Sequence, residues 1–241
     1  FFCGCNLRCA FCQNYEVSRA NHGKAITPSE LADIFKQLED MGAENISLVT
    51  PSHLVPYLVR AFELYQPKIP VVYNCSGYEL RETIKRLDGY IDVYLPDIKY
   101  FSADISRKYS SAPDYFQQAA DAVTEMIEQV GKLKYDDRGK LLKGTIIRHL
   151  VLPNCRHDSM RILDWIAENT SPDSRLVSIM SQYTPFDFIS SDYPELKRRI
   201  TKMEYNSVVR YAENLGIKGF TQDITSAREE YLPHFDLEGI R

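Results

Sequence analysis

Three thiols crowd the start of the chain: Cys5, Cys9 and Cys12, spaced C-x3-C-x2-C, with Phe11 directly before the last. Thiolates at this spacing are ligands for zinc or for an iron–sulfur cluster. A closed zinc site or an ordinary [4Fe–4S] cluster takes four protein ligands. Three leave one coordination position open, and an open position is what separates a catalytic metal centre from a structural one. Cys3, His22 and Cys75 are the candidates for a fourth ligand. If one of them closed the site, the loop would be a non-catalytic zinc or iron–sulfur module. Cys3 reads as a small packed residue, His22 as solvated in a polar loop, and Cys75 as a packed thiol.

Further polar groups fall at the ends of apolar runs. "LVTPSH" carries Thr50, Ser52 and His53, although Thr50 can equally cap a helix begun by Pro51. "YNCSG" carries Asn74 and Ser76, which can hydrogen-bond a ligand, and Gly77, which permits close backbone approach; an ordinary turn would look the same. "YLPDIK" delivers Asp97 and Lys99 at i and i+2, on one side of a strand. Charges there are costly unless paired with each other or held by a ligand. In "TIIRHLVLP", Arg148 and His149 face opposite sides; Arg148 is expected in the lumen and His149 in the core. "MSQYTP" offers Gln182 and Tyr183, for ligand contact or for rim polarity.

The elements that must position these groups alternate. "TPSELADIFKQLEDMG" predicts a helix with Thr27 as N-cap, Pro28 at N1, Glu30 completing a capping box and Gly42 beyond its end. Strands are expected at 45–50, 69–74, 91–99 and 175–181, and in "IKGFT". Helices are expected near 52–65, 78–87, 113–130, 157–169 and 194–215. A hairpin turning at Asp137-Arg138-Gly139 runs on into a core strand, with an insertion near 132–143. Nearly continuous apolar strands alternating with helices imply a parallel sheet. With a first strand ending at Phe1-Phe2, about six βα units suggest a partial barrel, and barrel chemistry sits at the C-terminal strand ends.

The 241 residues, 44% hydrophobic, suit one domain over 1–241. The opening on Phe1-Phe2, without methionine, reads as the loss of the natural N-terminus and most of the first strand. A net charge of −4 gives no support for nucleic acid as a partner. No apolar run nears the roughly 18 residues of a membrane span. Six cysteines, of which Cys75 and Cys155 stand alone, do not look like a disulfide scaffold, which points to a reducing, cytoplasmic setting.

C-x3-C-x2-C with Phe11 before the last cysteine resembles the signature of the radical SAM superfamily. "CNLRCAFCQN", "LVTPSH", "VVYNCSGYE", "IDVYLPDIKY", "IRHLVLPN", "MSQYTP" and "YLPHFDLEG" resemble a subgroup close to the pyruvate formate-lyase activating enzymes. The resemblance spans essentially the whole chain and implies a partial (β/α)6 barrel. It implies that Cys5, Cys9 and Cys12 hold a [4Fe–4S] cluster whose fourth iron is chelated by S-adenosylmethionine (SAM). One electron then yields a 5′-deoxyadenosyl radical that abstracts a hydrogen atom. It places Asp97 on a monovalent cation and Lys99 on the SAM carboxylate, with Thr50, Ser52, His53, Asn74, Ser76, Gly77, Arg148, Gln182 and Tyr183 around the cofactor. "LVTPSH" departs from the Gly-Gly-Glu turn that recognises the SAM amine in many relatives, and it supplies no carboxylate. A glycyl-radical enzyme is the implied substrate partner, and flavodoxin or ferredoxin the electron donor. The alternative is a radical SAM enzyme acting on another peptide or on a small molecule.

Overall fold

The computed structural model describes residues 1–19 and 23–222. His22 and the C-terminal "YLPHFDLEG" lie outside the described residues. In chain order the elements are α1 (Tyr15–Arg19), α2 (Pro28–Asp40), β1 (Ile46–Val49), α3 (Val55–Leu64), β2 (Val71–Cys75), α4 (Arg81–Lys85), β3 (Val93–Pro96) and α5 (Ala103–Ser110). Then come α6 (Tyr115–Val130), β4 (Lys134–Tyr135), β5 (Leu141–Leu150), α7 (Arg156–Asn169), β6 (Arg175–Met180), α8 (Lys202–Asn214) and β7 (Gly219–Thr221).

The sheet runs β1-β2-β3-β5-β6-β7, every pair along this path is parallel, and its two end strands do not meet. It is an open, partial barrel. β4 pairs antiparallel with β5, so the hairpin stands where its turn residues put it. Alternation sorts each strand's side chains. On β5, Thr145, Ile147 and His149 are buried, while Ile146, Arg148 and Leu150 are less so. Ile147, Val177 and Ile179 pack with Ile162, Leu163 and Ile166 of α7 and Val208 of α8. A second core joins Leu48, Val71 and Tyr73 to Phe35, Leu58 and Phe62. α2 begins with the expected capping box, in which the Thr27 side chain accepts from the Glu30 N–H and Glu30 reaches back to Thr27.

Three expectations give way, and one helix is unannounced. No described strand ends at Phe1-Phe2, although the Phe2 N–H bonds the Val49 carbonyl at 3.0 Å. The helix expected over 52–65 opens as a 3-10 turn, Ser52–Leu54, and becomes α-helical only at Val55; Thr50 does not cap it. The helix expected over 194–215 splits into a 3-10 turn, Pro194–Lys197, and α8. The reason is a second capping box: Thr201 starts a new helix with Glu204, and Arg198 is held outside it by Glu204 at 2.7 Å. Finally, α5 is a helix that "SADISRKYSS" does not announce, because its periodicity is short and its mean hydropathy is low.

Candidate functional site

The strands β1, β2, β3, β5 and β6 end around one cavity of about 350 Å³. Val49 and Thr50, Asn74 to Ser76, Asp97 and Lys99, Arg148 and Leu150, and Met180 line it in turn. Cys5, Cys9, Phe11 and Cys12 form the facing wall, and Gln182 and Tyr183 complete it.

The cysteine loop is pinned from behind by α5. The Arg8 N–H bonds the Ser110 carbonyl at 3.3 Å and the Ala10 N–H bonds the Tyr109 carbonyl at 2.7 Å. The Ser110 hydroxyl donates to Cys9 Sγ at 3.0 Å. Arg19 Nη2 donates to the Cys9 carbonyl at 3.1 Å. Burial pushes the Cys9 thiol up to about 11, against the pull of Lys99 and Ser110. Burial also raises Cys5. Thiols so placed stay protonated until a metal compensates the thiolate charge. Among the described residues no three His, Cys, Asp or Glu side chains converge closely enough to hold a single metal ion. Cys5, Cys9 and Cys12 all line the same cavity.

Opposite them stands a charged triad. Lys99 Nζ lies 2.5 Å from Asp97 Oδ2 and Arg148 Nη2 lies 2.7 Å from Asp97 Oδ1. Arg148 Nη2 also donates to Asn74 Oδ1 at 2.7 Å. Burial works against the Asp97 charge, but Arg148 and Lys99 outweigh it and hold the carboxyl below its ordinary range. Burial likewise opposes the Lys99 charge, and Asp97 overcomes it. Asp97 therefore spends its charge on two cations. This gives no support for a monovalent cation at Asp97, since another positive ion would have to compete with both. Two cations against one carboxylate leave the cavity wall net positive, suited to an anionic group.

Two buried atoms of this wall, Ser76 Oγ and Arg148 Nε, have no hydrogen-bond partner. Buried polar groups are normally satisfied, so these orphans mark a surface shaped for a polar ligand. Together with the thiols they fit a [4Fe–4S] cluster and SAM.

Other expected residues go elsewhere. Ser52 and His53 do not line this cavity. They face a second one of about 230 Å³ with Asn6, Tyr78, Glu79 and Asp114. His53 Nε2 meets the Cys3 carbonyl at 2.7 Å, so it steadies the cysteine loop from outside. Gly77 does not face the ligand space either. It takes φ +76, and a Cβ there would sit 2.0 Å from the Asp97 carbonyl oxygen, so glycine is required for chain crossing beside β3. Tyr183 is at the wall, but its hydroxyl donates to the Leu196 carbonyl at 2.6 Å, and its ring meets Phe11 edge-on at 5.8 Å. Gln182 Oε1 lies 3.4 Å from Gln222 Nε2. His149 is buried and satisfied by the Ile98 carbonyl (2.7 Å) and Ser159 Oγ (2.8 Å). Cys75 is at the wall as well, yet burial and the neighbouring Glu79 charge raise its thiol, which bonds Glu79.

Sequence reasoning missed two groups. Tyr115 ties the ends of β2 and β3 together: its hydroxyl donates to the Ser76 carbonyl at 2.7 Å and accepts from the Lys99 N–H at 3.0 Å. Glu79 is only 4% exposed and accepts from Ser52 and Tyr73. Its one sequence signal is an acid just past an apolar strand end.

Residues 1–142 match the Radical SAM superfamily, and the chain belongs to that family of enzymes. It is 32% identical over 231 residues to "Uncharacterized protein MJ0674" of Methanocaldococcus jannaschii, a match covering 90% of this chain. It spans 62% of that relative's length. Among solved structures, Streptococcus suis SuiB bound to precursor peptide SuiA aligns at a TM-score of 0.60 and 17% identity, over 94% of this chain and 48% of SuiB. A domain of the pyruvate-formate lyase-activating enzyme from Bacteroides vulgatus aligns at 0.51 and 10% identity, over 74% of this chain and 98% of that domain. These likenesses establish a shared fold.

Proposed function

We propose that Cys5, Cys9 and Cys12 hold a [4Fe–4S] cluster and that the facing wall binds SAM, for hydrogen abstraction from a backbone glycine of a glycyl-radical enzyme. The observation that carries this reading is one shared cavity: three thiols, a net-positive triad and two orphaned polar atoms line the same space. When bound, the cluster and SAM supply a 5′-deoxyadenosyl radical. This chain's own part is to bind and to orient. Lys99 and Arg148 offer charge to a carboxylate, while Ser76 offers a hydroxyl. Asp97 keeps the two cations side by side. Phe11, Leu150 and Met180 exclude water from the lumen. No described helix is long and apolar enough to cross a membrane.

The activase assignment draws on the motif likeness to pyruvate formate-lyase activating enzymes, with flavodoxin or ferredoxin as electron donor. A second reading, modification of another peptide, draws support from the SuiB fold, whose solved form carries its precursor peptide. The test is anaerobic. Protein reconstituted with iron and sulfide is given dithionite and SAM, and 5′-deoxyadenosine is read by mass spectrometry. The expected result is product from the wild type and none from Cys9→Ala. A protein that holds its cluster yet makes no 5′-deoxyadenosine refutes the enzyme reading. Adding a candidate glycyl-radical enzyme and recording its electron paramagnetic resonance then separates the two substrates: a glycyl signal supports activation, and its absence with continued 5′-deoxyadenosine formation favours the peptide reading.

A further inference from the structure

Thr50 holds a backbone conformation that its side chain disfavours. Its φ is +58, in the left-handed region, where a β-branched residue is a genuine outlier. Such strain persists only where the surroundings over-determine it, and it gathers at functional sites. Thr50 lines the cluster cavity, so the strain lies in the wall itself.

The surroundings that hold it are identifiable. Ahead of the turn, the Thr50 N–H bonds the Asn74 carbonyl at 2.9 Å and locks the end of β1 to β2. Behind it, Pro51 leads to Ser52, whose hydroxyl donates to Glu79 Oε1. The Tyr73 hydroxyl donates to the same oxygen at 3.2 Å. Tyr73 and Asn74 are neighbours on β2, so one strand grips the turn at both ends, and Glu79 is the bridge at the second. Ser52 and Glu79 are both buried, which keeps water from competing for these bonds. Glu79 faces the second cavity and not the first, so it reaches the wall from behind, through the turn and through the Cys75 thiol.

We infer that Glu79 is a positioning residue: by clamping Ser52 to β2 it holds Thr50 in the left-handed conformation and thereby sets the shape of the ligand cavity. The ligand half of this inference rests on the reading that SAM binds there; the conformational half does not.

The experiment is a cycle of four proteins: wild type, Thr50→Gly, Glu79→Ala and the double variant. Glycine adopts a positive φ freely, so Thr50→Gly relieves strain only where the clamp imposes it. Its effect on the unfolded chain is the same in both backgrounds and cancels. Thr50→Gly is expected to change the thermal midpoint more favourably in the wild type than in Glu79→Ala, by about 2–4 °C, the shift expected for one relieved residue in a chain of this size. Equal effects in the two backgrounds overturn the clamp. On reconstituted protein, calorimetry with SAM is expected to show about tenfold weaker binding in Glu79→Ala. Glu79→Gln, which keeps an acceptor oxygen for Ser52 and Tyr73, is expected to bind like the wild type. Coupling in the stability cycle with unchanged SAM affinity in Glu79→Ala overturns the claim that the turn shapes the cavity. A wild type that holds its cluster but binds no SAM defeats the proposed function, while the stability cycle still decides the clamp.

Discussion

Glu79 is a buried acid whose carboxyl is pushed up to about 7 by burial, against the hydrogen bonds from Ser52, Tyr73 and Cys75. An unfolded chain releases that proton near pH 4.5, so between about 4.5 and 7 the folded state retains a proton that the unfolded state has lost. A raised carboxyl pKa means that its stabilising contribution is complete below the unfolded value and disappears as pH rises through the folded one. The gap between about 4.5 and about 7 corresponds to about 3 kcal/mol, or roughly 10 °C of thermal midpoint for a chain of this length. Glu79→Gln keeps the shape and has no proton to lose. Thermal or urea unfolding of both proteins from pH 4.5 to 8 isolates the effect, because every other titrating group is common to them and cancels. The stability of the wild type relative to Glu79→Gln is expected to fall by about 3 kcal/mol across that range. A difference that stays flat with pH would falsify the assignment of a buried, proton-retaining Glu79.

Removing the Asp97 carboxylate, as in Asp97→Ala, leaves Lys99 and Arg148 facing each other without compensation; an unfolding loss of about 3–5 kcal/mol is expected, and Asp97→Ala with Arg148→Met should recover part of it. Gly77→Ala drives a methyl group into the Asp97 carbonyl at a positive φ, so a loss of more than about 1 kcal/mol is expected; a thermal midpoint within a degree of wild type would refute that close approach. Arg198, foremost, and the Thr201 and Asn154 N–H groups hold the Glu204 carboxyl well below its ordinary range despite partial burial. A depressed carboxyl stabilises above its unfolded pKa and loses that contribution as pH falls, so Glu204→Gln should be less sensitive to acid than the wild type. Parallel acid unfolding curves for the two would rule this out.

What the sequence determined by itself was local. The C-x3-C-x2-C spacing, the Thr27 capping box, the Asp137-Arg138-Gly139 turn and the alternation that set Arg148 against His149 all act within a few residues. Short-range geometry and side-chain periodicity express them directly. The open parallel sheet followed from the order of these elements. Only the tertiary structure decided what the site is made of. It set α5 behind the cysteine loop, through bonds from Arg8 and Ala10 to residues about a hundred positions away. It divided "LVTPSH" between two cavities, sending Thr50 to the one lined by Cys5, Cys9 and Cys12, and Ser52 and His53 away from it. It shared Asp97 between Lys99, two residues on, and Arg148, brought alongside by the pairing of β3 with β5. It buried Glu79 where it accepts from both Ser52 and Tyr73. These outcomes depend on which groups lose water together and which partners are then within reach. Burial and pairing across distant segments are properties of the packed chain, and no local pattern in the sequence carries them.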